Sequence, residues 1–384
     1  MAASPPSKLR DVDALRGYAA LAVALYHFLL AYVPAASAPR ALTALGLVAQ
    51  RPFLVAPLNG HFMVTVFFVL SSFVLTRGLV SGGERSRGIA AIAKRFPRLL
   101  PLTLVGVLLP ATLYLSGWLP TRAVAAITHS EWLDRSGGIK YWAPWPAVSL
   151  WSAARDGVLL FAHGVSQFNS ALWTMKYELF GSMLALAGAT LIGSRPRPIV
   201  DALLLTLIAI AALRIHPLCA ICVATVYIAK YVLARPVDLK LPVALGLIGI
   251  GLVLGSAYKA TQVMRIDWLL LGAGATALLV GMRGIARLRE IDSRVGRQLG
   301  RLSFAVYVIH IPIQSAVAGA IILTFGYCPI AVAGALILST TLIFLLAWPL
   351  SRLDEQWMAQ LSRWLGGPKA PTSGERAARR NPAP

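Results

Sequence analysis

The chain has 384 residues, of which 57% are hydrophobic and only 13% charged, with a mean hydropathy of +0.70. A soluble globular domain carries about a quarter charged residues, so this composition excludes one and predicts an all-α, polytopic membrane bundle. The net charge of +21 does not predict nucleic-acid binding, because the basic residues fall in short clusters between apolar runs and form no continuous basic face.

Apolar runs of spanning length lie near residues 12–33, 60–80, 99–118, 170–192, 199–214, 217–234, 241–258, 266–282, 302–323 and 328–350, which predicts about ten transmembrane helices. Helices rather than a barrel follow from run length, since barrel strands alternate at every second residue. The first run follows "MAASPPSKLRDVDALRG" without a small-residue cleavage site, and is expected to stay in the membrane. Most of the 36 Lys and Arg residues then fall on the side of the N-terminus, in Lys8, Arg10 and Arg16, the 77–98 loop, the 195–197 and 230–240 turns, the 283–301 loop and the tail. By the positive-inside rule both termini are expected to be cytoplasmic. Residues 1–366 are expected to form one membrane domain, and 367–384, rich in Pro, Gly and charge, a disordered cytoplasmic tail.

The long external connection, roughly 119–169, has Trp118 at its edge and Trp132, Trp142, Trp145 and Trp151 within it. Tryptophans anchor chains at the membrane interface, and they also stack on sugar rings, so either role is open. Cys219 and Cys222 have a CxxC spacing near His216, but small buried residues in a helix are the expectation, and no metal site is predicted.

Several ionisable groups stand where lipid would be. "LRGYAALAVALYHFLLAY" holds Arg16 and His27, and eleven residues advance about three helical turns, which puts both on one stripe about 16 Å apart. Arg16 is then near the cytoplasmic edge and His27 in the outer half; such residues face a cavity rather than lipid. "LWTMKYELFG" buries Lys176 and Glu178 at a depth similar to that of His27, so a carboxylate–imidazole pair is expected. "LSFAVYVIHIP" places His310 inside the ninth run, with Tyr307 one turn before it. "AKRFPRLLP" sets Arg95 and Arg98 three residues apart at the cytoplasmic edge, a spacing suited to phosphate oxygens. A phosphate clamp inside and a basic catalyst further out suit a donor with a charged head and a long thin arm. Coenzyme A meets that description, and so does a lipid phosphate.

Taken in order, these motifs resemble the acyltransferase-3 family of membrane acyltransferases. The resemblance runs from about residue 9 to 350. It rests on Arg16 and His27 in "DALRGYAALAVALYH", on "VTVFFVLSSFVLT", on Arg95 and Arg98 in "RFPR", on "LWTMKYELF" and on "LSFAVYVIH". Where the family commonly has Ser-Gly-Phe, this chain has Ser71, Ser72 and Phe73, which puts close helix packing there in question. The C-terminal esterase-like domain of many relatives is not expected in this chain.

The resemblance implies an O-acyltransferase of a bacterial cytoplasmic membrane, with no permanently bound cofactor and acyl-CoA, foremost acetyl-CoA, as co-substrate. It implies that Arg16, Arg95 and Arg98 hold the coenzyme, and that His27 is a general base with Glu178 orienting it or gripping the acceptor. Trp173, Lys176, Tyr307 and His310 would bind substrate or line the passage. The acceptor would be a hydroxyl of an extracytoplasmic glycan or of a small natural product such as a macrolide. A transporter or flippase for a glycan or lipid-linked intermediate is the reading from another class, since buried charges fit that too.

Overall fold

A computed structural model describes residues 9–34, 56–136, 148–234, 237–256, 264–290 and 293–365. Among these residues the regular elements are helices, α1 (Arg10–Tyr32), α2 (Gly60–Val80), α3 (Arg85–Ala93), α4 (Arg95–Leu115), α5 (Thr121–Thr128), α6 (Glu131–Ser136), α7 (Leu150–His163) and α8 (Thr174–Ile192) leading into a second half. That half holds α9 (Pro198–Leu213), α10 (Pro217–Tyr227), α11 (Leu241–Ser256), α12 (Met264–Arg283), α13 (Ala286–Glu290), α14 (Arg294–Phe325) and α15 (Pro329–Trp364). Each apolar run expected from the sequence coincides with one of these helices. Helices α1, α2, α12, α14, α15 and the run of α3 with α4 are long and apolar enough to cross a membrane, whereas α9, α11 and α10 with its π-helical continuation to Val232 are shorter. The chain is a multi-pass membrane protein. Trp142, Trp145 and the tail from residue 367 lie outside the described residues.

Two helices run past their apolar segments. The 283–301 stretch, expected as a loop, is helical from Arg294, where the Ser293 hydroxyl caps α14 by accepting from the Gly296 N–H at 3.2 Å. Similarly α15 continues to Trp364. These extensions are charged, and they hold each other: Arg301 grips Glu355 in a two-pronged pair at 2.5 and 2.6 Å. At the same end Arg283 pairs with Asp11 at 2.6 Å and Arg98 with Asp354 at 3.4 Å. The start of α1 and the end of α15 therefore share one end of the bundle, called inner below after the orientation expected from the basic residues.

Proline positions explain one crossing point of the bundle. A proline inside a helix leaves the carbonyl four residues earlier without its N–H donor. Pro110 in α4 frees Gly106 and Pro312 in α14 frees Val308. The Asn169 side chain, 1% exposed, donates one amide N–H to each of these two carbonyls, at 3.0 and 2.8 Å. Pro101 frees the carbonyl of Pro97, which accepts from the Trp357 indole at 2.7 Å. Side chains from other helices thus supply donors that lipid cannot.

Helices α1 and α14 lie unusually close. A Cβ added at Gly300 would stand 2.2 Å from the Asp13 carbonyl oxygen, and one at Gly17 would stand 2.4 Å from Leu299. Further out, Gln314 donates to the Ala24 carbonyl at 2.9 Å and the Tyr32 hydroxyl donates to the Gln314 carbonyl at 3.2 Å. Between these anchors the two helices present a histidine each.

Candidate active site

His27 of α1 meets His310 of α14, with Nδ1 of His27 2.9 Å from Nε2 of His310. The other nitrogen of His310, Nδ1, is 2.7 Å from the Tyr307 carbonyl oxygen. A carbonyl only accepts, so in the neutral pair His310 carries its proton on Nδ1 and accepts on Nε2. His27 must then donate from Nδ1, and its Nε2 keeps a free lone pair. This assignment of tautomers follows from the hydrogen-bond network. Trp132 of α6 stacks on His27 with ring centres 5.2 Å apart, bringing one tryptophan of the external connection onto the imidazole. Trp118 and Trp151 point outward and are 61% and 78% exposed.

Glu178 does not pair with His27. Its Oε1 accepts from Arg95 at 2.8 Å and from the Ser71 hydroxyl at 3.1 Å, and Arg95 donates further to the Ser182 hydroxyl at 2.7 Å. Helix α8 turns Glu178 toward α2 and α4 instead of α1, so it meets Arg95 and Ser71 and not His27. A buried carboxylate needs a cation, and Arg95, itself buried, supplies it.

Between the inner end and the histidine pair runs a narrow cleft of about 50 Å³, lined among others by Arg16, Ala20, Val23, Phe67, Ser71, Thr174, Glu178 and Tyr307. It opens at Arg16 and Arg98 onto a polar basin of about 570 Å³ whose walls include Asp13, Arg297, Arg301, Asp354 and Glu355. Arg16 stands at the junction, 5.3 Å from the Phe67 ring centre and 3.8 Å from Asp13, and its buried Nε makes no hydrogen bond. Phe67 lies parallel to Tyr307 at 6.4 Å, and the Tyr307 hydroxyl donates to the Ala171 carbonyl at 2.7 Å with Thr174 at 2.7 Å beside it. A guanidinium, a phenyl ring, a phenol and two imidazoles thus follow one another from the basin toward the outer half.

Residues 9–352 match the sequence family described as an acyltransferase domain. The chain belongs to the acyltransferase-3 family. No curated protein and no solved structure matches it. Membership makes the protein a membrane acyltransferase.

In this acyltransferase the sequence-predicted residues divide into four groups. His27, Tyr307 and His310 come together, and Arg16 and Arg98 share the mouth of the cleft. Arg95 lines the cleft wall with Glu178 and does not reach the basin's lining. Trp173, at the N-cap of α8, and Lys176, in its first turn, stand at the outer end of that helix and do not contact the histidine pair directly. Sequence reasoning missed Ser71, Phe67, Arg297 and Arg301. A signal existed for the last two, which are four residues apart and so share a helix face once α14 is extended inward. Ser72, which replaces the family's glycine, donates its hydroxyl to the Cys222 carbonyl at 2.6 Å, so the added atoms are absorbed between α2 and α10. Cys219 and Cys222 are buried at that packing surface.

Proposed function

We propose that this acyltransferase moves an acyl group from acyl-CoA, with acetyl-CoA as donor, to a hydroxyl of an extracytoplasmic glycan or related acceptor, in the cytoplasmic membrane of a bacterium. The observation that carries the reading is the His27–His310 hydrogen bond, beyond a mostly apolar cleft whose other end lies among arginines. In this reading Arg16 and Arg98 hold the coenzyme's phosphates, because guanidinium groups match phosphate oxygens with two parallel donors. The thioester arm enters the cleft past Ser71 and Tyr307, while Arg95 and Glu178 neutralise each other in its wall. His27 Nε2 takes the proton of the acceptor hydroxyl as its oxygen adds to the thioester carbonyl. The carbon–sulfur bond then breaks, and the imidazolium returns that proton to the departing thiolate. One ester bond replaces one thioester bond, with no redox partner. General-base help of this kind is worth about 10²–10⁴ in rate.

The test uses detergent-purified protein, measuring acetyl-CoA binding and acetyl transfer for wild type, His27→Ala and Arg98→Ala. The expected result is binding retained in His27→Ala with transfer lost, and binding weakened about tenfold or more in Arg98→Ala. Near-normal transfer by a folded His27→Ala protein would overturn the base assignment. Absence of acetyl-CoA binding in folded wild type would overturn the donor.

A further inference from the structure

A second set of rings lies at the outer end, beside the histidine pair. Tyr26 is next to His27 in sequence, with ring centres 5.5 Å apart, and Tyr26 meets His61 at 6.0 Å. His61 meets Trp268 at 5.4 Å, and Trp268 meets both Trp173 at 5.8 Å and His216 at 5.4 Å. His216 stacks on Tyr177 with centres 4.2 Å apart and planes 28° from parallel. Every ring comes from the outer part of its helix: His61 from the first turn of α2, Trp268 from the first turns of α12, Trp173 and Tyr177 from the start of α8, and His216 from the cap of α10. All except Trp268 are half-buried, so each offers part of a ring to a neighbour outside the packed core.

Two cations flank this row. Lys176 precedes Tyr177 and lies against Gly164 at the end of α7, where an added Cβ would stand 2.9 Å from its Cδ. Arg265 precedes Trp268 by three residues, is exposed, and its charge acts on His216. Burial first, and the Arg265 charge second, hold the His216 pKa down to about 4, so this ring is neutral at physiological pH. Among the described residues neither Lys176 nor Arg265 pairs with a carboxylate. Arg16, Arg98, Arg283 and Arg301 each have an acidic partner, whereas the half-buried Arg77 and Lys94 at the inner end, like Lys176, pair with none among the described residues. A half-buried lysine near the membrane boundary with no anion beside it is an open demand for one.

We infer that this row is the acceptor subsite of the acyltransferase, and that it takes a saccharide bearing a negative group. The inference rests on the acyl-transfer reading and deepens it. Sugar rings present flat C–H faces that pack on aromatic rings, and a negative group on the sugar would sit between Lys176 and Arg265. A hydroxyl of the neighbouring sugar would then reach toward His27 along Tyr26. A neutral macrolide would fill the rings and leave both cations unanswered. The relevant aromatic platform is this row and not the exposed Trp118 and Trp151.

The experiment measures binding of three probes to the purified full chain at low salt: a galacturonate tetrasaccharide, a neutral galactose tetrasaccharide, and galactose 6-phosphate. The galacturonate or the phosphosugar is expected to bind at least tenfold more tightly than the neutral probe, and which of them does so names the anionic group. The preference should vanish in Lys176→Met combined with Arg265→Met and survive in Lys176→Arg combined with Arg265→Lys. Equal binding of all three probes by wild type overturns the inference, and so does a preference that persists without the two charges. If the Met variant does not fold, the wild-type comparison still decides. Acetyl-CoA binding by wild type is read separately. Its presence with no anionic preference sinks this inference alone, and its absence sinks the acyl-transfer reading beneath it.

Discussion

At the scale of single residues, the arrangement turns on which nitrogen of His27 is free. His310 is fully buried, and its Nδ1 is committed to a carbonyl of its own helix. It therefore acts on His27 as an acceptor and fixes the ring's orientation. His310→Leu is expected to lower kcat for acyl transfer by about 10- to 100-fold, a part of what general-base catalysis is worth, while acetyl-CoA binding stays unchanged. His310→Gln, whose side-chain oxygen falls near the lost Nε2, should recover part of that rate and the wild-type pH profile. Full activity in a folded His310→Leu protein would show that His27 needs no partner. The sequence made Arg16, His27 and His310 visible because charge is costly in lipid and helical rise converts spacing into depth. It did not reveal that His310 rather than Glu178 is the partner. Depth is one coordinate, and the rotation of each helix about its own axis is another that no local pattern reports.

At the scale of elements, prolines and glycines decide how the helices meet. Pro110 and Pro312 each remove a backbone donor, and one asparagine replaces both. Asn169→Leu leaves two buried carbonyls unsatisfied, each costing about 1–3 kcal/mol. The variant should therefore lower the apparent melting temperature in detergent. The same change in a Pro110→Ala, Pro312→Ala background should cost less, because the backbone N–H groups return. Equal losses in both backgrounds would remove the explanation, since coupling between the sites is its whole content. The ends of α14 and α15 teach a related point. Their apolar runs were legible and their charged extensions were not, because hydropathy marks where lipid is and not where a helix stops. The extension of α14 is settled by its Ser293 cap, and the two extensions hold each other through the Arg301–Glu355 pair.

At the scale of the whole molecule, the two ends of the bundle differ in chemistry. The inner basin is lined by Arg16, Arg98, Arg297 and Arg301, three of which are held by Asp13, Asp354 and Glu355. Ion pairs at an exposed or half-exposed site are worth about 0–1 kcal/mol, so an incoming polyphosphate can displace them. Arg297→Ala combined with Arg301→Ala is expected to weaken acetyl-CoA binding several-fold, and raising the salt from 50 to 500 mM should weaken wild-type binding as well, since the Debye length shrinks. Titration calorimetry at the two salt concentrations checks both. A salt-independent affinity, unchanged in the double variant, would move the donor's phosphates away from this basin.

Sequence alone determined the class, the apolar segments and the polar residues that lipid would not tolerate. All of these follow from transfer free energy and from a helix's fixed rise per residue, which are local properties. Tertiary structure decided the partnerships. Glu178 went to Arg95, His27 to His310, Asn169 to two carbonyls 202 positions apart in the chain, and the outer rings gathered from five helices. Such pairings depend on how each helix is rotated and how near its neighbours come. The clash distances at Gly17 and Gly300 set that approach for α1 and α14, and through it the contact between the two histidines.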